Sequence, residues 1–148
     1  NDAALLQALA QAFARIGIAA KVEALPQPVF ITRANAFEFS LFMAAYNSTT
    51  AASTIRGLLM TRDPPRGFGT VNRMRYANPA LDEIMKRALT TLDGTARGEL
   101  LAAAQREVIR DMAVVPLLYS VHNWATRTGR ARFQANALGR TRAMFVMP

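Results

Sequence analysis

Phe37-Glu38-Phe39-Ser40-Leu41-Phe42-Met43-Ala44-Ala45-Tyr46 is apolar or aromatic at all but two positions. A run of this length and composition reads as a β-strand buried on both faces, as in a parallel sheet. Upstream, Ile18, Ala20, Val22 and Ala24 alternate on one side of a second strand that Pro26 terminates. Between the two strands, residues 28–36 open with Pro28 at a first helical position. Strand, crossover and strand in that order predict parallel pairing with a right-handed connection.

Further upstream, Leu5, Leu9, Phe13 and Ile16 recur at helical spacing, with Asp2 as a possible cap and Gly17 as the stop. Downstream of the central run, the polar stretch Asn47-Ser48-Thr49-Thr50 leads into a predicted helix from Ala51 to Met60. Thr61 to Tyr76 is loop-like, with Asp63-Pro64-Pro65, Gly67 and Gly69 among its residues. Asn78-Pro79 supplies a capping residue and a first-turn proline, and Leu81, Ile84, Met85, Ala88 and Leu92 continue at helical spacing. Asp93-Gly94 breaks that helix. Thr95 opens another whose Leu101, Ala104, Val108 and Met112 share a face, so the pair is an αα-hairpin. Ala113 to Val121 is a third strand candidate, interrupted by Pro116, which favours an edge or a domain crossing over a central position. The pattern as a whole predicts an α/β fold, a mixed sheet flanked by helices.

The chain has 148 residues, 51% of them hydrophobic, enough for one sizeable core. Its net charge of +8 rests on arginine, since Lys21 and Lys86 are the only lysines among 18 basic residues. With no cysteine, disulfides and thiolate metal sites are excluded. The single histidine, His122, has no second His or Cys with which to hold a metal, so no metal site and no cofactor is predicted. No apolar run approaches the ~18 residues needed to span a bilayer. The first residue is Asn1, directly on a helical pattern, which leads us to expect a piece of a longer protein.

Several segments in order resemble one known family. Ala8-Leu9-Ala10-Gln11 runs on to Ile16-Gly17-Ile18 and Lys21-Val22-Glu23. Arg75-Tyr76-Ala77-Asn78-Pro79-Ala80-Leu81-Asp82 contains a tyrosine-x-asparagine-proline motif. Ala103-Ala104-Gln105 precedes Asp111, Val114-Val115-Pro116-Leu117 follows it, and Asn123-Trp124-Ala125-Thr126-Arg127 lies near the C-terminus. In this order the segments resemble the C-terminal portion of family 5, peptide/nickel-type, extracytoplasmic solute-binding proteins of ABC transporters.

The resemblance implies the later lobe of a type II periplasmic-binding-protein fold. Residues 1–112 would belong to the second ligand-binding lobe, and 113–148 would form a hinge-crossing strand and a C-terminal segment returning to complete the first lobe. It further implies a periplasmic receptor, not an enzyme, that closes on a small solute such as a peptide and delivers it to an inner-membrane permease. The missing N-terminal lobes of the same protein would supply the other half of the cleft, so this chain alone would bind poorly.

Ligands of open α/β sheets sit outside strand C-terminal ends, which makes Tyr46, Asn47, Ser48, Thr49 and Thr50 the candidate ligand-binding residues. The same hydroxyls would equally serve to cap the following helix. Trp124 is the sixth candidate, to stack on a ligand or to be buried between lobes. Peptide receptors of the family place an aspartate in this region to meet the peptide's free amine, whereas Ala44 to Thr50 contains no carboxylate. An ammonium buried there would lack its counter-charge, so a neutral, N-blocked or anionic solute is expected. Ser120 with His122 could suggest a hydrolase, but no orienting carboxylate accompanies them. Arg66, Arg73, Arg75 and the arginines after Asp111 carry the alternative reading, a basic α/β nucleic-acid-binding module, yet no recognition motif supports it and nucleic acid is not an expected partner.

Overall fold

A computed structural model describes residues 2–119 together with 125, 127, 132–133 and 146–147. The chain divides into two compact units: Asn1–Ala45 with Arg73–Arg75, and Tyr46–Asn72 with Tyr76–Pro148.

The first unit is built from α1 (Asp2–Ala14) and α2 (Gln27–Asn35). Leu5, Leu9 and Phe13 of α1 are half-buried, while Ile16, beyond its end, is exposed. Gly17, at φ +80°, ends the helix: its N–H donates to Ala14 O at 3.1 Å and the Ile18 N–H to Phe13 O at 3.0 Å. This paired closure is a Schellman motif, and its left-handed residue is ordinarily glycine. The helix α2 ends in the same way with Phe37 at φ +58°, donating to Ala34 O while Glu38 donates to Arg33 O.

Here the structure corrects the α/β expectation. Residues 18–26, 38–48 and 115–119 form neither helix nor strand and have no ladder partners. Among the described residues the strands are two-residue segments, β1 (Arg132–Phe133) and β2 (Val146–Met147), paired antiparallel with Arg132 opposite Met147. Among the described residues the protein is helical, with no mixed sheet. The physical reason is visible in the Phe37–Tyr46 run. Its aromatic residues spend their apolar surface on α2: Phe39 stacks on Phe30 at 5.7 Å and Phe42 meets the same ring edge-on at 5.8 Å. Arg33 of α2 holds the neighbouring extended segments with charge, bonding Glu23 at 2.7 Å and Glu38 at 2.8 Å, and lies over the Phe39 ring at 4.7 Å. Side-chain contacts with one helix thus replace backbone pairing with another strand. Within the same unit, Arg73 Nε donates to Asn35 Oδ1 at 2.8 Å and Arg75 covers the Phe37 ring at 4.6 Å.

The second unit contains the core. Helix α3 (Ala51–Thr54) widens into a π-helical turn at Ile55–Leu59, closed by Met60 N–H donating to Ile55 O at 2.9 Å. The widening leaves two carbonyls for the loop that follows: Arg56 O accepts from Gly69 N–H at 2.9 Å and Gly57 O from Val71 N–H at 3.0 Å. Gly69 has φ +56°, and a Cβ there would sit 2.5 Å from Met60 O, so only glycine fits. Asn72, 1% exposed, completes the fastening, its Nδ2 donating to Met60 O at 3.0 Å and Tyr76 O at 2.8 Å.

The predicted αα-hairpin is present as α4 (Pro79–Thr90) and α5 (Gly94–Arg110). Leu81, Met85 and Ala88 of α4 and Ala104 and Val108 of α5 are buried, together with Ala52, Ile55, Leu59 and Met60. Leu92, expected on the buried face of α4, is instead wholly exposed, because α4 stops at Thr90, where the Thr90 and Thr91 hydroxyls bond back to the Arg87 carbonyl. Asp93 caps α5 through Ala96 N–H at 2.7 Å.

One asparagine ties the hairpin together. Asn78 Oδ1 accepts from Leu81 N–H at 3.0 Å and so caps α4, while its Nδ2 donates to Asp111 Oδ2, past the end of α5, at 2.6 Å. Tyr76 OH donates to the same Asp111 oxygen at 2.9 Å. The Tyr76 and Asn78 donors, with nearby Arg110, hold the Asp111 carboxyl below its ordinary range. Burial, and then the Asp111 acceptor, raise the Tyr76 phenol, against an opposing contribution from Asn78. The lowered Asp111 contributes stability that is present above the usual carboxylate pKa and lost as pH falls through its folded value. The raised Tyr76 contributes stability that is lost as pH rises through its folded value.

Asn78→Ala removes the cap and a donor to Asp111, and is expected to cost about 1–2 kcal/mol in urea unfolding. Asn78→Asp keeps the capping oxygen but sets a second carboxylate against Asp111. It should be clearly destabilised at neutral pH and recover part of that loss as the pH is lowered and one of the pair takes a proton. An Asn78→Asp protein as stable as the parent at neutral pH would contradict the network. At the end of α5, Met112 occupies the left-handed position of a third Schellman motif, at φ +50°, with its side chain 65% exposed. Met112→Gly should therefore raise stability by about 0.5–1 kcal/mol; an unchanged or lower urea midpoint would show that the motif carries no such strain.

Candidate functional site

Five of the six candidate ligand residues lie on one continuous stretch entering α3. Tyr46, Asn47, Thr49 and Thr50 are exposed and Ser48 is half-buried. The sixth, Trp124, lies outside the described residues, as do Ser120 and His122.

The stretch divides by chemistry. Thr50 has extended backbone and caps α3, its Oγ1 accepting from Ser53 N–H at 3.1 Å. Around it the hydroxyls satisfy one another and the Thr50 carbonyl, which accepts from Ser48 Oγ at 3.1 Å, Ser53 Oγ at 2.9 Å and Thr54 Oγ1 at 3.2 Å. Ser48 Oγ also bonds Ser53 Oγ. Ser48 and Thr50 therefore build the helix start, the capping role that their residue types equally allowed. Ser53 and Thr54 belong to this cluster without having been singled out in the sequence. The signal was present as hydroxyls three and four residues after Thr50.

Asn47 and Thr49 make no side-chain hydrogen bond among the described residues, so their polar atoms are open to a ligand. Tyr46 stands 43% exposed beside Gly57, where a Cβ would come within 3.0 Å of its hydroxyl. The lack of a side chain at Gly57 makes room for the phenol. No carboxylate is added to Ala44–Thr50 by any hydrogen bond or ion pair of those residues, so the stretch offers neutral donors and acceptors. Among the described residues no cluster of three or more His, Cys, Asp or Glu could hold a metal ion. No described helix is long and apolar enough to cross a membrane.

Compared with known proteins, the chain is similar to the periplasmic oligopeptide-binding protein OppA of Salmonella typhimurium, at 37% identity over 51 residues. That match takes in 34% of this chain and 9% of OppA, so it spans under a tenth of that protein's length. No protein-family model matches the chain. No solved structure matches it.

The division of roles predicts a separation of effects. Thr50→Ala should lower stability by about 1 kcal/mol through loss of the cap, whereas Asn47→Ala should leave the unfolding midpoint within about 0.5 kcal/mol of the parent. Thermal and urea unfolding of the two variants side by side checks this, and equal effects would show that Thr50 does not cap α3.

Proposed function

We propose that the chain is part of the substrate-binding component of an ABC importer, contributing one face of a cleft for a peptide-like or other small polar solute. The solute would pass to a membrane permease without chemical change, and the protein would act outside the cytoplasm. The observation that carries this reading is the 51-residue similarity to OppA, a periplasmic oligopeptide-binding protein by name.

The geometry adds support at two places. Tyr46, Asn47 and Thr49 bring a phenol, an amide and a hydroxyl to one exposed stretch of chain, a set suited to a peptide's amides and carbonyls. With no carboxylate on Ala44–Thr50, a free ammonium would be desolvated without a partner, so an N-blocked, neutral or acidic solute is preferred. Beyond α5, Met112, Val115, Leu117, Leu118 and Tyr119 are all 48% exposed or more. Residues 113–148 are proposed to lead towards the first lobe, which would cover these side chains. Of the arginines behind the basic, nucleic-acid-binding alternative, the three that precede Asp111 have partners of their own. Arg66 pairs with Asp63, Arg73 donates to Asn35, and Arg75 is stacked on Phe37.

The test is thermal stabilisation of the gene's full product by a panel of tripeptides. An N-acetylated or acidic tripeptide should raise the unfolding temperature in a saturable way, and unmodified trialanine should do so weakly. Tyr46→Ala with Asn47→Ala should weaken the response about tenfold or more, from loss of an aromatic contact and a hydrogen bond. Binding to generic RNA with a steep salt dependence, and no response to any peptide, would sink the proposal.

A further inference from the structure

Within the second unit, the loop after the π-turn and the first turns of α4 line an open hollow of about 330 Å³. None of its lining residues belongs to Tyr46–Thr50. Its walls are firmly built. Asp63 and Phe68 exchange backbone hydrogen bonds at 3.0 Å in both directions, and Thr61 N–H donates to Asp82 Oδ1 of α4 at 2.9 Å. Arg56 backs the Phe68 ring from 5.7 Å and donates to Gly67 O. The wall bends sharply at Gly67, φ +72°, where a Cβ would meet the Arg56 guanidinium at 2.8 Å.

The chemistry of the lining is asymmetric. Met60, Pro64 and Phe68 give it apolar surface. Arg62, Arg66 and Lys86 share the lining with two carboxylates, Asp63 and Asp82. Each carboxylate already has a partner, Asp63 in Arg66 at 3.5 Å and Asp82 in the Thr61 amide. Lys86 is paired with Glu83 at 2.6 Å. Arg62 has no ion pair or hydrogen bond among the described residues, so its guanidinium is open to an acceptor. The Thr61 hydroxyl is buried and has no hydrogen-bond partner among those residues. A buried hydroxyl left without a partner is destabilising, and it is best satisfied by an acceptor, with which a charged oxygen makes the stronger bond.

We propose that this hollow binds a small organic carboxylate, its apolar body against Phe68, Pro64 and Met60 and its carboxylate on the Thr61 hydroxyl and the Arg62 guanidinium. The volume lies at the lower end of small-molecule sites, which fits a single ring or a short acyl chain.

The probe is sodium benzoate, added to the folded chain and followed through backbone amide NMR shifts, with benzylamine and inorganic phosphate as comparators. Benzoate should produce saturable shifts centred on Thr61, Arg62 and Phe68. Benzylamine, with the opposite charge, should not saturate, and phosphate, lacking the apolar body, should bind more weakly. Thr61→Val and Arg62→Gln should each weaken benzoate by about tenfold. Thr61→Val should in addition raise the unfolding temperature of the ligand-free protein, since it removes the orphaned hydroxyl. Arg62 is exposed, so Arg62→Gln carries the test even where Thr61→Val perturbs folding. The proposal is overturned by an absence of saturable benzoate shifts in the parent, by equal binding of benzylamine, or by undiminished benzoate binding in Arg62→Gln.

Discussion

The Asn78 side chain works at both ends of its amide, and the helical hairpin depends on it. Its oxygen satisfies an otherwise orphaned N–H at the start of α4. Its nitrogen reaches a carboxylate that lies thirty-three positions further along the chain. Capping alone would orient nothing beyond the first turn. Because the same group also grips Asp111, the start of α4 and the end of α5 are set against each other, and Leu81, Met85, Ala104 and Val108 are brought into one core. Tyr76 supplies a second donor to the same oxygen, so the carboxylate sits in a charge-assisted network rather than in a lone hydrogen bond.

The parts of the fold legible in the sequence are those whose cause is local. Asn78-Pro79 marks a helix start whatever surrounds it, and Gly17 marks a stop because the left-handed position is easy for glycine. Phe37–Tyr46 reads as a strand on composition and Ile18–Ala24 on alternation, but a strand exists only through a partner, and neither signal names one. The rings of Phe39 and Phe42 fit a helix face at Phe30 as readily as they would fit a sheet. Phe37 and Met112 were invisible as helix stops for a related reason. They occupy a position that favours glycine while carrying side chains that give no sign of it.

The same limit applies to the candidate site. Both readings of Asn47–Thr50 were available from residue types, since a hydroxyl that caps a helix and one that meets a ligand are chemically identical. Geometry assigns Ser48 and Thr50 to the helix and leaves Asn47 and Thr49 open. The hollow beside Thr61 had no counterpart in the sequence at all. Its residues come from a loop without periodic pattern and from a helix turn two dozen positions away, and only the Thr61–Asp82 contact shows that they share a wall.

The π-turn at Ile55–Leu59 binds the following loop through main-chain groups, Arg56 and Gly57 receiving Gly69 and Val71. Donors two residues apart meet acceptors one residue apart, so the match depends on the count of residues rather than on what they are. Apart from Gly67 and Gly69, both in the left-handed region and both without room for a Cβ, side chains between Arg62 and Val71 are therefore open to exchange as far as these two bonds are concerned, whereas adding or deleting a single residue would throw both out of step. In protein engineering this loop is a place to vary chemistry and not a place to vary length.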